Sequence, residues 1–168
     1  DVRRQRRRER ALRDLAERDP LTGALNRRGF EGAVARALAT PHEVALMLVD
    51  VDHFKAINDR YGHPVGDTVL QAIVADIQGL VRRDDLVGRL GGDEFAVLLV
   101  EVVPGMAVLV ADRLRRIVGR EVTPPTSISV GVVQRRAGEP YRALFERADK
   151  QLYTAKAQGG DQVAVAAG

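Results

Sequence analysis

The sequence feature that most constrains the fold is an unbroken apolar run, Val-Ala-Leu-Met-Leu-Val at residues 44–49, which leads directly into Asp50. A strand with one face in water alternates apolar and polar residues, so this run predicts a strand over residues 43–51 that is covered on both faces. A second apolar run begins after the sequence GGDE at residues 91–94. In both places, carboxylates stand where a strand meets a turn.

The other helices and strands are predicted from two signals. One is the helical spacing of apolar residues, and the other is the position of turn-forming residues. The predicted helices cover residues 1–18, 27–39 (with Asn26 as the N-cap), 54–60, 68–81, 106–118 and 141–157, and a loop is predicted over 61–66. Strands at 85–90 and 94–100 form a predicted hairpin, and two more strands are predicted at 127–133 and 163–165.

This order of elements predicts an α/β fold of the α+β sandwich type. We expect a ferredoxin-like, mostly antiparallel central sheet, as in polymerase palms and nucleotidyl cyclases, flanked by helices and preceded by an N-terminal helical linker. In such a sheet the first strand and the central hairpin can be neighbours, which would bring Asp50 beside Asp93.

Composition excludes several classes of protein. The 168 residues suit one domain, and the absence of Cys excludes disulfides and thiolate metal sites. The net charge is +3, but residues 1–18 hold eight arginines against four acidic residues, so that segment is +4 and the remainder is −1. No stacking aromatics accompany these arginines, which favours a solvated helical arm over a nucleic-acid or lipid contact. No apolar run is long enough to span a membrane.

The acidic residues indicate the chemistry. Carboxylates packed side by side are costly unless a positive charge lies between them, and a divalent metal with oxygen ligands usually supplies it. Such metals commonly act on phosphates, so the pattern predicts metal-dependent phosphoryl transfer. The chain has no P-loop sequence, no Gly-x-Gly-x-x-Gly and no zinc-type spacing of its three His.

Five segments in order resemble the GGDEF family of diguanylate cyclases. They are DPLTGALNRRGF (19–30), LVDVDHFKAINDRYGHPVGDTVL (48–70), RRDDLVGRLGGDEFAVLL (82–99), SISVGV (127–132) and RADKQLYTAK (147–156). The resemblance implies a GGDEF catalytic domain at 19–168, and residues 1–18 are then the end of an upstream signalling helix. Because the chain begins with Asp1 rather than Met, we expect it to be a piece of a longer protein with an upstream sensory domain.

The resemblance also implies the reaction. Two GTP molecules condense to cyclic di-GMP with release of two pyrophosphates, between the facing subunits of a homodimer, with two Mg²⁺ or Mn²⁺ ions at each active site. Cyclic di-GMP is then both product and inhibitor. The expected location is the cytoplasm, with membrane anchoring of the full protein left open, and nucleic acid is not an expected partner.

The family's motifs assign roles to individual residues here. Asp50, the Val51 carbonyl, Asp93 and Glu94 are the implied metal ligands. Asp50, Lys55, Asp93 and Glu94 are the implied catalytic residues, although the sequence does not apportion metal and base roles between Asp93 and Glu94. The implied nucleotide contacts are Phe54, Lys55, Gly91, Gly92 and Lys156. The two glycines would allow the backbone to approach the nucleotide closely.

Asn58 and Asp67 match the family's guanine-reading positions. A carboxylate can accept from both N1–H and N2–H₂ of guanine, and adenine offers no such pair. His63 is expected to order the loop between them. Asp67 could instead cap a helix beginning at Thr68. Asp52 is expected to be structural rather than metal-binding.

Arg82 and Asp85 resemble the Arg-x-x-Asp product-inhibition site of the family, with Arg89 and Arg113 as further candidates. An Arg fork suits a guanine or a phosphate, but a run such as RRDD is by itself usually a charged turn. Gly160 and Asp161 stand where relatives commonly carry Arg and Asn. The missing arginine leaves a silent domain that senses GTP or cyclic di-GMP as one alternative to an active enzyme. The other alternative is an output unit whose activity requires dimerisation by the upstream region.

Overall fold

The computed structural model describes residues 1–166. It contains six helices and five strands within that range. In chain order these are α1 (Val2–Glu17), α2 (Arg27–Leu38), β1 (Val44–Val51), α3 (Phe54–Tyr61), α4 (His63–Leu80), β2 (Leu86–Gly91), β3 (Glu94–Val100), α5 (Met106–Ile117), β4 (Ile128–Gln134), α6 (Tyr141–Ala157) and β5 (Val163–Val165).

The strands form one sheet in the order β2-β3-β1-β4-β5. Strand β1 lies at the centre and pairs antiparallel with β3 on one side and β4 on the other, and β5 runs parallel to β4. Every residue of β1 is buried, which confirms the prediction from its unbroken apolar run. The mostly antiparallel sheet between helices confirms the predicted fold class.

Alternate side chains of β1 enter two separate cores. Met47 and Val49 pack with α4 and α5 on one face of the sheet, whereas Leu46 and Leu48 pack with α2 and α6 on the other. Asp50 follows the second register and therefore points to the α2–α6 face as the strand ends. The central strand thus delivers a carboxylate to the rim of the sheet.

The predicted loop over residues 61–66 is wrong. Helix α3 continues to Tyr61 and α4 begins at His63, so that Gly62 alone separates the two helices, at φ +88°. Pro64 occupies the first turn of α4, where its missing N–H costs no intrahelical hydrogen bond. The loop that His63 was expected to order does not exist, and His63 is an exposed first residue of the helix.

Helix α1 buries none of its residues, and only its end contacts the domain. Asn26 caps α2 as predicted, its Oδ1 accepting from Gly29 N at 2.8 Å, and its Nδ2 donates to Ala16 O at the end of α1. A Cβ at Gly29 would lie 2.2 Å from Glu17 O, so α1 and α2 meet too closely there for any side chain. Among residues 1–166, no helix is long and apolar enough to cross a lipid bilayer.

Candidate active site

Two carboxylates meet at the end of the central strand. Asp50 is buried and lies opposite Glu94 of β3 and Ser129 of β4 in the two ladders. Val51 N donates to Asp93 O at 3.3 Å, which holds the turn of the β2–β3 hairpin against β1. The expected proximity of Asp50 and Asp93 is therefore present.

A lysine from the far end of the chain contacts the same carboxylate. Lys156, in the last turn of α6, places Nζ 2.7 Å from Asp50 Oδ2. Burial raises the pKa of Asp50 to about 6, the ammonium of Lys156 opposes that rise, and the neighbouring Asp93 adds to it. The hydrogen bond to Asp50 in turn raises the pKa of Lys156. The site thus concentrates negative charge and is partly neutralised from within.

The donor set fits a hard divalent cation. Carboxylate and carbonyl oxygens are the ligands that Mg²⁺ prefers, and Asp50, Asp93 and the Val51 carbonyl supply them at one place. The raised pKa of Asp50 shows that burial disfavours the ionised carboxylate more than the half-exposed lysine favours it, so a bound cation would stabilise the ionised form further. Within residues 1–166, however, no three His, Cys, Asp or Glu side chains stand close enough to form a ready metal cage.

A cleft of about 390 Å³ adjoins these carboxylates. It is lined by residues 50–55, Asp93, Lys156, Gly159 and Gly160. Phe54 and Lys55 begin α3, where the first backbone N–H groups of a helix have no intrahelical acceptor and favour an anion. Polyphosphate bound there would lie between these amides and Lys156.

The predicted guanine readers lie on the adjoining helices α3 and α4. The amide oxygen of Asn58 is buried and has no hydrogen-bond partner within residues 1–166. A Cβ at Gly66 would lie only 1.9 Å from that oxygen, so the glycine creates the space that Asn58 fills. Asp67 follows Gly66, is exposed, and lies inside α4 rather than at its start, so the alternative of an N-cap is wrong. An unsatisfied buried acceptor is costly, which fits a site completed by a ligand.

The hairpin glycines occupy open space. Gly91 and Gly92 are exposed, and a Cβ at Gly92 would meet nothing within 4 Å. Packing within the chain therefore does not require glycine at 92, and its expected role in admitting the nucleotide stays a prediction.

Asp52 is structural, as expected. Its Oδ1 accepts from Ser129 Oγ at 2.6 Å and its Oδ2 accepts from Ser127 Oγ at 2.5 Å. The same Oδ2 accepts from the backbone N of Asp161 at 2.8 Å. These bonds fasten the loop after α6, which includes Gly160, to the end of β1.

The expected inhibitory residues do not all come together. Asp85 is buried, its Oδ2 accepting from Arg82 N at 2.8 Å and its Oδ1 from Val100 N at 3.0 Å, so both oxygens hold the turn before β2. The exposed Arg82 side chain donates to Val100 O. Arg82 borders a cleft of about 530 Å³ that Arg18 and Arg83 also line.

The two further candidates lie elsewhere. Arg89 pairs with both oxygens of Asp19 at 3.2 Å and donates to Gly92 O at 3.0 Å, which ties the DPLTG turn to the hairpin. Arg113 is exposed on α5. Sequence reasoning missed Arg18 at the Arg82 cleft and the pairing of Asp19 with Arg89. Asp19 also accepts hydrogen bonds from the backbone N and the hydroxyl of Thr22 within its own turn, so the DPLTG segment gave no local signal of a distant partner.

Comparisons with known proteins identify the family to which the chain belongs. The family described as "Diguanylate cyclase, GGDEF domain" matches residues 16–162. The chain is 38% identical to diguanylate cyclase DgcM of Escherichia coli, over 99% of this chain and 42% of that protein. It is 42% identical to diguanylate cyclase TpbB of Pseudomonas aeruginosa, over 88% of this chain and 37% of that protein.

One solved structure is similar to nearly the whole of this chain. The coiled coil and GGDEF domain of DgcB from Caulobacter crescentus, in complex with c-di-GMP, superimposes with a TM-score of 0.91 at 29% identity, covering 98% of this chain and 93% of that one. The chain belongs to the GGDEF-domain family of diguanylate cyclases. It spans roughly two fifths of the length of the curated relatives DgcM and TpbB.

Proposed function

We propose that this chain is the catalytic domain of a diguanylate cyclase, which condenses two GTP molecules into cyclic di-GMP and two pyrophosphates. The observation that carries the proposal is the meeting of Asp50 and Asp93 at the end of β1, beside a cleft lined by the start of α3 and by Lys156. This is an arrangement suited to a triphosphate and its metal ions rather than to an apolar ligand.

Each group has a defined task in this reaction. The backbone N–H groups of Phe54 and Lys55 bind the terminal phosphates, and the ammonium groups of Lys55 and Lys156 offset the charge that develops there. Asp50, the Val51 carbonyl and Asp93 would hold Mg²⁺ or Mn²⁺, which when bound lower the pKa of the attacking 3′-hydroxyl and neutralise phosphate charge. Glu94, opposite Asp50 in the ladder, supports the metal or the base from the same face.

Guanine is selected between α3 and α4. Asn58 offers an amide whose oxygen is unsatisfied, and Asp67 offers a carboxylate for N1–H and N2–H₂. Adenine presents no matching pair of donors, so binding it leaves these groups unpaired at a cost. His63, at the start of α4, lies on the same part of the site.

One GTP-bound domain contains only half of the reacting atoms, so the active species is a homodimer whose two sites face each other. The exposed helix α1 is suited to be the end of a longer helix that joins a sensory region to residues 19–168. Cyclic di-GMP inhibits through Arg82 with Asp85, and because both Asp85 oxygens hold the turn, Arg82 makes the contact and Asp85 positions it.

Product analysis of matched variants tests the proposal. The purified chain, freed of bound nucleotide and kept concentrated, is incubated with GTP and Mg²⁺, and products are resolved by chromatography with mass detection. Asp93→Asn should abolish cyclic di-GMP formation, whereas Asp59→Asn, the same change at an exposed position of α3, should leave it intact. Full activity in Asp93→Asn contradicts the proposed chemistry. Binding of GTP without product from the wild-type chain would favour a sensor domain.

A further inference from the structure

Among the ion pairs of residues 1–166, Lys156 is the only cationic side chain that pairs with Asp50. Its Nζ lies 2.7 Å from Oδ2, and the two side chains differ in exposure, Lys156 being 49% exposed and Asp50 only 10%. The carboxylate is fixed at the end of a central strand, whereas the lysine reaches it from a helix end through four rotatable bonds. Of the two partners, the lysine is the one able to leave.

The ammonium lies where a metal ligand is needed. A lone pair of Asp50 that accepts a hydrogen bond from Nζ at 2.7 Å is not free to bind a divalent cation, and the positive charge repels one. The same ammonium offsets the repulsion between the buried carboxylate of Asp50 and the half-buried Asp93.

The cleft gives the displaced ammonium a second place to bind. Lys156 lines it together with Lys55 and Gly160, so a change of side-chain rotamer carries Nζ from the carboxylate toward bound polyphosphate. We propose that Lys156 is an exchangeable cation: it neutralises Asp50 in the metal-free protein and transfers its ammonium to the substrate phosphates when the metal–nucleotide complex enters. This inference rests on the proposed function and deepens the role of one residue in it.

This exchange of Lys156 between the carboxylate and the phosphates predicts that Lys156→Met changes metal affinity and nucleotide affinity in opposite directions. Without nucleotide, removal of the competing ammonium should tighten Mn²⁺ binding by about fivefold or more, the scale expected for one nearby, half-exposed charge. With nucleotide, loss of the phosphate contact should weaken binding of Mg²⁺ and 3′-deoxy-GTP, a probe that lacks the attacking hydroxyl. A lysine that only braces α6 gives no gain in metal affinity.

The test measures Mn²⁺ binding by electron paramagnetic resonance on nucleotide-free protein, and 3′-deoxy-GTP binding by calorimetry. Lys150→Met is the matched control, an exposed lysine of the same helix, and should change neither affinity. Mn²⁺ affinity in Lys156→Met that equals or falls below that of the wild type, including no detectable binding in either, overturns the exchange. In case the variant folds poorly, the ¹⁵N resonance of Nζ in the wild-type chain should shift when Mg²⁺ and 3′-deoxy-GTP are added, and an unchanged resonance also overturns it.

The inference and the proposed function fail separately. Cyclic di-GMP synthesis by the wild-type chain, with no gain of Mn²⁺ affinity in Lys156→Met, removes the exchange and leaves the cyclase intact. A gain of affinity in a chain that makes no cyclic di-GMP retains the exchange and removes the cyclase.

Discussion

Replacement of Gly66 by Ala should damage the nucleotide site, although Ala is the better helix former. Gly66 lies in the second turn of α4, where a Cβ would be 1.9 Å from Asn58 Oδ1 and 3.2 Å from the ring of Phe54. Since non-bonded atoms approach to about 3.5 Å, the Asn58 amide must move by about 1.5 Å. The new methyl group therefore expels a predicted guanine reader from its position.

The magnitude follows from two opposing terms. Overpacking lowers the free energy of unfolding by about 1–3 kcal/mol, and the higher helix propensity of Ala relative to Gly raises it by about 1 kcal/mol. Gly66→Ala should therefore lower the free energy of unfolding by about 0–2 kcal/mol. Gly79→Ala, in the same helix with nothing within 4 Å of the new Cβ, should raise it by about 0.5–1 kcal/mol.

Urea denaturation followed by circular dichroism measures both variants, and calorimetry with 3′-deoxy-GTP measures nucleotide affinity. Gly66→Ala should lose about tenfold or more in affinity, the equivalent of one lost hydrogen bond in a buried site. In an Asn58→Ala background the stability cost of Gly66→Ala should disappear, because the clashing amide is gone. Gly66→Ala that matches Gly79→Ala in stability and in affinity would refute this reasoning.

Three further predictions concern the surroundings of the carboxylates. Gly160→Ala should lower the free energy of unfolding by about 1–2 kcal/mol in urea titrations, because φ is +75° and the Cβ would lie 2.9 Å from Asp52 Oδ1; unchanged stability would contradict the loop geometry. The pKa of Asp50 in the folded chain is raised to about 6, so ionisation of Asp50 lowers the stability of the metal-free protein as pH rises from about 4 to 6. The free energy of unfolding of Asp50→Asn should therefore gain on that of the wild type across this pH window. A constant difference between the two would contradict the raised pKa. Arg89→Met should cost about 1–3 kcal/mol in the same urea assay, since the largely buried Asp19 keeps its hydrogen bonds from Thr22 but loses the charged hydrogen bonds from Arg89, and a neutral result would show the pair to be dispensable.

The central sheet was predictable because its signals are local. The unbroken apolar run of β1 and the Gly91-Gly92 pair between two apolar segments each specify an element within a few residues. Their association brought Asp50 and Asp93 together as expected, since β1 pairs with β3. The matching family motifs then supplied the roles of residues that spacing alone leaves ambiguous.

The junction of α3 and α4 was not predictable from turn chemistry. The residue types at positions 62–66 are typical of a loop, yet one positive-φ glycine, Gly62, is the whole connection between the two helices. Pro64 is tolerated in a first helical turn, and Gly66 is there for the approach of Asn58 rather than for a bend. Residue type alone does not distinguish a glycine that turns the chain from one that admits a neighbour.

The long-range polar contacts were also beyond local signals. Lys156 meets Asp50 across 106 positions of sequence, and Arg89 meets Asp19 across 70. Both contacts depend on how α6 and the DPLTG turn pack against the sheet, which periodicity does not encode. Asp85 has an acidic side chain suited to a ligand, but the turn that it occupies directs both oxygens to backbone N–H groups.

A competition between GTP and ATP is the most direct measurement. The concentrated chain, stripped of bound nucleotide, is given an equimolar mixture of the two with Mg²⁺, and the cyclic dinucleotides formed are identified by mass. Cyclic di-GMP with neither the mixed nor the adenine product is expected, because the proposed function assigns base selection to Asn58 and Asp67 and the condensation to the Asp50–Asp93 site. Products containing adenine would contradict the guanine site, and the absence of any cyclic dinucleotide would contradict the catalytic role itself.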